Sequence, residues 1–186
     1  MKLVFLLEEE SMKALLEGLL PRLLPEHIPF LLIPHEGKSD LEKSIPRKLR
    51  TWRDPTARFV VVRDQDSGDC VAVKERLVKL CADAGKPDTL VRIVCRELES
   101  WYLADLQAVD KVFGTQLAKQ QEKAKFRTPD DISVPSAEVF KIVPGFGKVS
   151  AARALGVLLD IENHRSVSFA AFIKGINKLV MEATHE

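Results

Sequence analysis

Asp64 and Asp66 stand two apart, just after the β-branched run Phe59 to Val62. Glu8 follows the apolar run Leu3 to Leu7, and Glu97 and Glu99 follow Leu90 to Val94. In an open α/β sheet, ligands lie beyond the carboxyl ends of the strands. Three strand ends would therefore deliver carboxylates to one edge. With extended backbone at the Asp pair, residues i and i+2 point the same way. Two carboxylates about 4 Å apart repel by about 4 kcal/mol at an effective dielectric near ~20. Such a pair calls for a cation, or for protonation of one member. Oxygen-only ligands favour Mg²⁺, Mn²⁺ or Ca²⁺, and Mg²⁺ retains waters that phosphate oxygens can replace. That chemistry is phosphoryl transfer or phosphodiester hydrolysis. Acids in βα turns also have an ordinary use. Asp69 suits the cap of a helix starting near Val71, and Glu9 and Glu10 suit a first helical turn.

The elements that must position these residues follow from periodicity. Leu3 to Leu7 reads as a strand buried on both faces, as in a parallel sheet. Ser11 is the expected cap of a helix carrying Leu15, Leu16, Leu19, Leu20 and Leu23. Ile28 to Ile33 is a second strand, and Leu41, Ile45 and Leu49 mark the next helix, where Pro46 is expected to kink or shorten the pattern. Phe59 to Val62 and Leu90 to Val94 are the third and fourth strands, separated by a helix from Val71 to Ala84. Leu98 to Phe113 reads as one helix. Strands alternating with helices give right-handed βαβ units and a mostly parallel sheet. The expected division is an α/β core over 1–113, a lysine-rich surface excursion over 114–135, and a helical extension over 136–186, with helices at Ala137 to Ile142, Val149 to Leu159 and Phe169 to Met181.

Bulk properties exclude several classes. The net charge of +1 provides no global attraction to nucleic acid or membrane, so such contacts must be local. Cys70, Cys81 and Cys95 match no zinc spacing, and an unpaired count suits a reducing, cytoplasmic setting. No apolar run approaches the roughly 18 residues needed to span a bilayer. His27, His35, His164 and His185 suggest no ligand set.

Three basic features accompany the acids. Gly37-Lys38-Ser39 matches the end of a phosphate-binding loop, but Leu32 stands where that loop's first glycine belongs. Lys38 can still reach a phosphate from a helix start. Arg47, Lys48, Arg50 and Arg53 surround Trp52, a pattern that can track a nucleic-acid backbone or simply form a solvated helix face. Pro144-Gly145-Phe146-Gly147-Lys148 with Ala151 resembles a helix-hairpin-helix motif, and a plain helix turn is the competing reading. Lys148 and Arg153 could serve a phosphate in either case.

A glutamate after the first strand, then a helix, then Asp-x-Asp after the third strand resembles the Toprim domain of topoisomerases, primases and old-type nucleases. Glu9 stands where the usual motif has glycine. The chain is more broadly similar to a bacterial Toprim-like family of unknown function. That similarity is carried by Glu8 to Ser11, Gly37 to Leu41, Asp64 to Asp66, Glu97 to Trp101, Ala151 to Ala154 and the stretch Asn163 to Phe169. It implies a Toprim-like Rossmannoid core. It also implies Mg²⁺ or Mn²⁺ held by Glu8, Asp64 and Asp66, with Glu97 and Glu99 as further ligands, and Glu8 as ligand or general acid/base. The implied activity is a metal-dependent nuclease or related phosphoesterase acting on nucleic acid, DNA foremost, in genome maintenance or defence. Such nucleases often work with a DNA-clamping ATPase. This sequence has no complete Walker motif, so an ATPase would be a separate protein. Two alternatives stay open: a non-catalytic metal- or nucleic-acid-binding partner subunit of such an ATPase, and a small-molecule phosphatase.

Overall fold

The computed structural model describes residues 1–183; His185 lies outside them. Four strands form one sheet: β1 (Lys2–Leu7), β2 (Phe30–Pro34), β3 (Ala57–Asp64) and β4 (Leu90–Val94). The order is β2-β1-β3-β4 and every pairing is parallel. The expected mostly parallel α/β architecture is therefore what the chain adopts. All four carboxyl ends lie on one edge.

Side chains alternate across each strand, and both faces are covered. Val4, Leu6, Val61 and Val91 face α2 (Lys38–Thr51) and α3 (Cys70–Asp83), through Leu41, Ile45, Leu49 and Leu77. Leu3, Phe5, Leu7, Val60 and Val62 face a larger core built on α1 (Glu10–Leu19). That core also takes in α4 (Glu99–Leu103), α5 (Leu106–Phe113), α8 (Lys148–Gly156) and α9 (Val167–Ala183). Residues after 135 thus share one hydrophobic core with the sheet. Trp101 packs on Phe169 and Phe172 with ring centroids 5.0 and 5.3 Å apart. Its Nε1 donates to Ser168 Oγ at 3.0 Å.

The backbones of α1 and α8 approach closely at Gly18 and Gly156. A Cβ on Gly18 would lie 2.9 Å from the Gly156 carbonyl carbon, and one on Gly156 would strike the Leu15 carbonyl oxygen. Only glycine at both positions lets the two backbones meet this closely.

Four local expectations are corrected. Leu98 to Phe113 is two helices, because Asp105 interrupts it and caps α5 by accepting from Ala108 N–H at 3.0 Å. Pro46 lies inside α2 without ending it. Glu9, not Ser11, is the N-cap residue of α1, and the Ser11 hydroxyl bonds the Glu9 carboxylate. β3 runs on to Asp64, two residues beyond Val62. Residues 115–135 hold 3₁₀ turns and the short α6 (Ala124–Arg127). Buried Gln121 ties them down, accepting from Leu106 N–H at 2.8 Å and donating to the carbonyls of Leu103 and Phe126 at 3.1 and 2.9 Å.

Candidate functional site

The carboxyl edge is stitched together by backbone bonds. Glu8 N–H donates to Val62 O at 3.2 Å, and Gly37 N–H donates to Glu8 O at 2.9 Å. Gln65 N–H donates to Val94 O at 2.9 Å and Asp66 N–H to Arg96 O at 2.8 Å. The Gln65 side chain returns the link, accepting from Arg96 N–H at 3.2 Å and donating to Gly68 O at 2.9 Å. Asp66 and Arg96 both take left-handed backbone, with φ of 56° and 58°. Such conformations in non-glycine residues concentrate at functional turns.

This turn corrects one expectation about the Asp pair. The backbone at Asp66 is not extended, so the two carboxylates do not lie side by side. Asp64 ends β3 and is buried, with Oδ1 lacking any hydrogen-bond partner. Asp66 swings outward, where Lys38 Nζ donates to its Oδ2 at 2.9 Å. Lys38 thus reaches the site from the start of α2.

Two subsets of charge result. On the α2–α3 side, Glu8, Glu42 and Asp66 surround Arg63, which is 4% exposed. Arg63 Nη1 donates to Glu42 Oε1 at 3.0 Å; its Nε lies 3.7 Å from Glu8 Oε2 and its Nη2 3.9 Å from Asp66 Oδ2. Arg76 Nη2 also reaches Glu42 Oε1, at 2.7 Å. The sequence signal for Arg63 is an arginine between the apolar run Phe59-Val60-Val61-Val62 and Asp64.

On the opposite side, Asp64 shares its surroundings with Glu99 and Glu9. Burial, then the charges of Glu8, Glu9, Glu99 and Asp66, hold the Asp64 carboxyl well above the usual carboxylate range. Glu99 is raised too, by burial first and by Glu97 and Glu9, with Lys148 opposing. Lys148 Nζ lies 3.8 Å from Glu99 Oε1, while Glu99 Oε2 is buried without a partner. Burial pulls the Lys148 ammonium down, but Glu99, Glu9, Asp64 and Glu97 together push it up. The fully buried Tyr102 hydroxyl also lacks a partner, beside the charges of Glu99 and Asp64. Glu9, at the start of α1, acts on both Asp64 and Glu99 and belongs to this group. Glu8 is raised by burial, against the Asp64 N–H bond and Arg63, which lower it.

Other residues fall elsewhere. Glu97 Oε2 accepts from Ser136 N–H at 2.6 Å and so caps the first turn of α7 (Pro135–Ile142). Arg153 lies 4.0 Å from Glu17 on α1, away from the carboxylates. Arg50 and Trp52 lie at the opposite end of α2, where Trp52 meets Phe59 edge-on at 5.5 Å. Between α7 and α8, Gly145 takes φ of 73° and Phe146 is buried against Phe140, which holds the turn and sets Lys148 at the start of α8.

Among the described residues, no three carboxylate, histidine or cysteine side chains already converge as a closed metal set. The donors fit an open site. Orphaned buried oxygens on Asp64 and Glu99 need a cation or a proton, and Mg²⁺ takes only one or two carboxylates, with water and phosphate oxygens completing its shell.

Comparison with known proteins is consistent with the fold. The model of the family described as Domain of unknown function (DUF4276) matches residues 7–177. Among solved structures, the C-terminal region of the Burkholderia pseudomallei OLD protein superposes with a TM-score of 0.56 at 16% identity, covering 96% of this chain and 98% of that one. The C-terminal region of the Xanthomonas campestris pv. campestris OLD protein gives 0.49 at 14% identity, over 99% and 98% of the two chains. No curated protein matches. The chain belongs to the DUF4276 family.

Proposed function

We propose that this chain is a Toprim-type, divalent-metal-dependent phosphodiesterase acting on nucleic acid, DNA foremost. The observation that carries the reading is the pair of buried, unpartnered carboxylate oxygens on Asp64 and Glu99, with Lys148 as the nearby cation. A group of buried acids left short of positive charge is built for a cation. The Toprim-like order of Glu8 and Asp-x-Asp supports the substrate class, on a fold shared with an OLD protein's C-terminal region.

Asp64 and Glu99 would hold Mg²⁺ or Mn²⁺, with Glu9 and Glu8 in reach and Asp66 and Glu97 at the margin. Bound there, the ion supplies Lewis-acid stabilisation of a phosphoryl oxygen and a water of lowered pKa. Glu8 is held in place through Oε2 by the Asp64 N–H, which leaves Oε1 to take or give a proton. Lys148 and Lys38 flank the carboxylates from two sides and can each bind a phosphate oxygen. Among the described residues no helix is long and apolar enough to cross a membrane. The proposed setting is the cytoplasm, in genome maintenance or defence, with any ATPase supplied by a separate chain.

That no three carboxylates converge among the described residues favours one second reading, a metal- or nucleic-acid-binding partner subunit without its own activity. Plasmid nicking by purified protein in Mg²⁺ and Mn²⁺ separates the two. Nicking that needs metal and vanishes in Asp64→Ala supports the phosphodiesterase; no nicking by either protein moves the assignment to the subunit.

A further inference from the structure

We propose that the outward face of α2, carried by Lys43, Arg47 and Arg50, is the surface along which a nucleic-acid backbone runs as it leaves the carboxyl edge. The inference rests on the nucleic-acid reading above and adds the path of the strand; it is independent of the metal.

The charges of α2 are sorted along its axis. Asp40 and Glu42 stand near its start, and both are engaged. Asp40 Oδ2 accepts from Glu36 N–H at 3.2 Å, and Glu42 Oε1 accepts from Arg63 and Arg76. The last nine residues, 43–51, hold Lys43, Arg47, Lys48 and Arg50 and no acid. At 3.6 residues per turn, Lys43, Arg47 and Arg50 fall within about 60° of one another. They lie on the side away from the buried Leu41, Ile45 and Leu49, and all three are exposed. Among the described residues none of the three has a carboxylate partner; Arg50 Nη2 donates only to the Asp83 carbonyl, at 3.5 Å. Exposed cations elsewhere, Lys79, Lys125 and Arg165, pair with Asp83, Glu138 and Glu122.

Helix electrostatics explain only part of this row. The negative end of the helix dipole favours Lys48 and Arg50, which lie in the last turn. Lys43 and Arg47 precede that turn, and like charges three and four apart destabilise a helix. A row of like charges without carboxylate partners fits an external polyanion.

The row also leads away from the site. α2 begins at Lys38, whose Nζ donates to Asp66 Oδ2 at 2.9 Å. At 1.5 Å per residue, Lys43 lies about 7.5 Å and Arg50 about 18 Å further along the axis. The cleft beside Lys38 is lined by Ser39, Gln65, Ser67 and Arg76, all groups that bind phosphate oxygens. Trp52 is turned inward, edge-on to Phe59 in the α2–α3 core, so it is no platform for stacked bases. The face therefore holds phosphates and reads no base sequence.

The test is fluorescence anisotropy of the whole chain on a labelled DNA duplex over a salt series, in EDTA and in Ca²⁺. Circular dichroism confirms the fold of each variant. Lys43→Gln with Arg47→Gln and Arg50→Gln should weaken binding about tenfold or more and flatten the plot of log Kd against log salt by about 2 to 3. Lys111→Gln with Lys119→Gln and Lys174→Gln removes the same charge from the layer on the other face of the sheet, and should leave the slope within about 0.5. Arg47→Lys with Arg50→Lys keeps the charges and should bind within about threefold of the wild type. An unchanged slope in the α2 variant, or equal losses in the two triple variants, overturns the inference while sparing the nucleic-acid reading. So does an α2 variant that loses binding to phosphatidylserine vesicles but not to DNA. If the α2 triple variant does not fold, Arg47→Gln with Arg50→Gln decides, with a flattening of about 1 to 2 expected. No DNA binding by the wild type in either buffer removes the nucleic-acid reading, and this inference with it.

Discussion

Glu8 accepts the backbone N–H of Asp64 through Oε2, at 3.0 Å. This one bond joins the ends of β1 and β3, and it fixes the first acid of the sequence pattern to the backbone of the second. It also shows why the two are not equivalent. The Glu8 oxygen is satisfied by a donor, whereas Asp64 Oδ1 has none.

Asp64→Asn removes an uncompensated buried charge. The expected outcome is loss of metal-dependent nicking together with a metal-free melting temperature equal to or above that of the wild type. Thermal melts with and without Mn²⁺ check it: the wild type gains stability on adding metal, and the variant does not.

The pH dependence of the metal-free protein follows from the same group. Asp64, Glu8 and Glu99 all have raised folded-state values, through burial first. Between the ordinary carboxylate range near pH ~4 and the raised values, the folded state holds more protons than the unfolded chain. Stability from these groups is therefore highest in acid and is lost as pH rises through that window. Melting curves in a chelator should show Asp64→Asn gaining on the wild type as pH rises, then levelling off.

Lys148 and Arg153, both basic residues of α8, should behave differently. Lys148→Met removes the cation beside Glu99 and should slow nicking by about tenfold or more, without weakening Mn²⁺ binding. Arg153→Met breaks an exposed contact with Glu17 and should leave both within about twofold. Initial rates and Mn²⁺ titrations of the two variants provide the comparison.

Gly156→Ala places a methyl against the Leu15 carbonyl. Two helix backbones would have to separate, at a cost of about 2 kcal/mol or more. Urea unfolding should show a lower midpoint, because α8 belongs to the same core as α1.

Gln121→Ala leaves Leu106 N–H and the carbonyls of Leu103 and Phe126 without their partner. The expected loss is about 3 kcal/mol, read by urea unfolding, with limited proteolysis cutting first within 115–135.

The four strands, their parallel arrangement and the edge that receives Glu8, Asp64, Glu97 and Glu99 were legible in the sequence. Continuous apolar runs, alternating with helical periodicity, admit few other arrangements. The helix break at Asp105 escaped because the apolar period continues across it, and only the capping bond to Ala108 N–H shows the chain restarting. Within the site, residue type and order identified the acids. Which of them lack a counter-charge was decided by tertiary structure. Asp66 turns to Lys38 because its backbone is left-handed and bonded to Arg96, a partner 30 positions on. Glu9 and Glu99 share the field around Asp64 because α1 and α4 follow β1 and β4, the strands on either side of β3. Arg63 meets Glu42 only because α2 packs on β3. Charge balance depends on distances of a few ångströms between residues far apart in the chain. Periodicity specifies which face a side chain leaves from, and the packed fold alone sets what it meets.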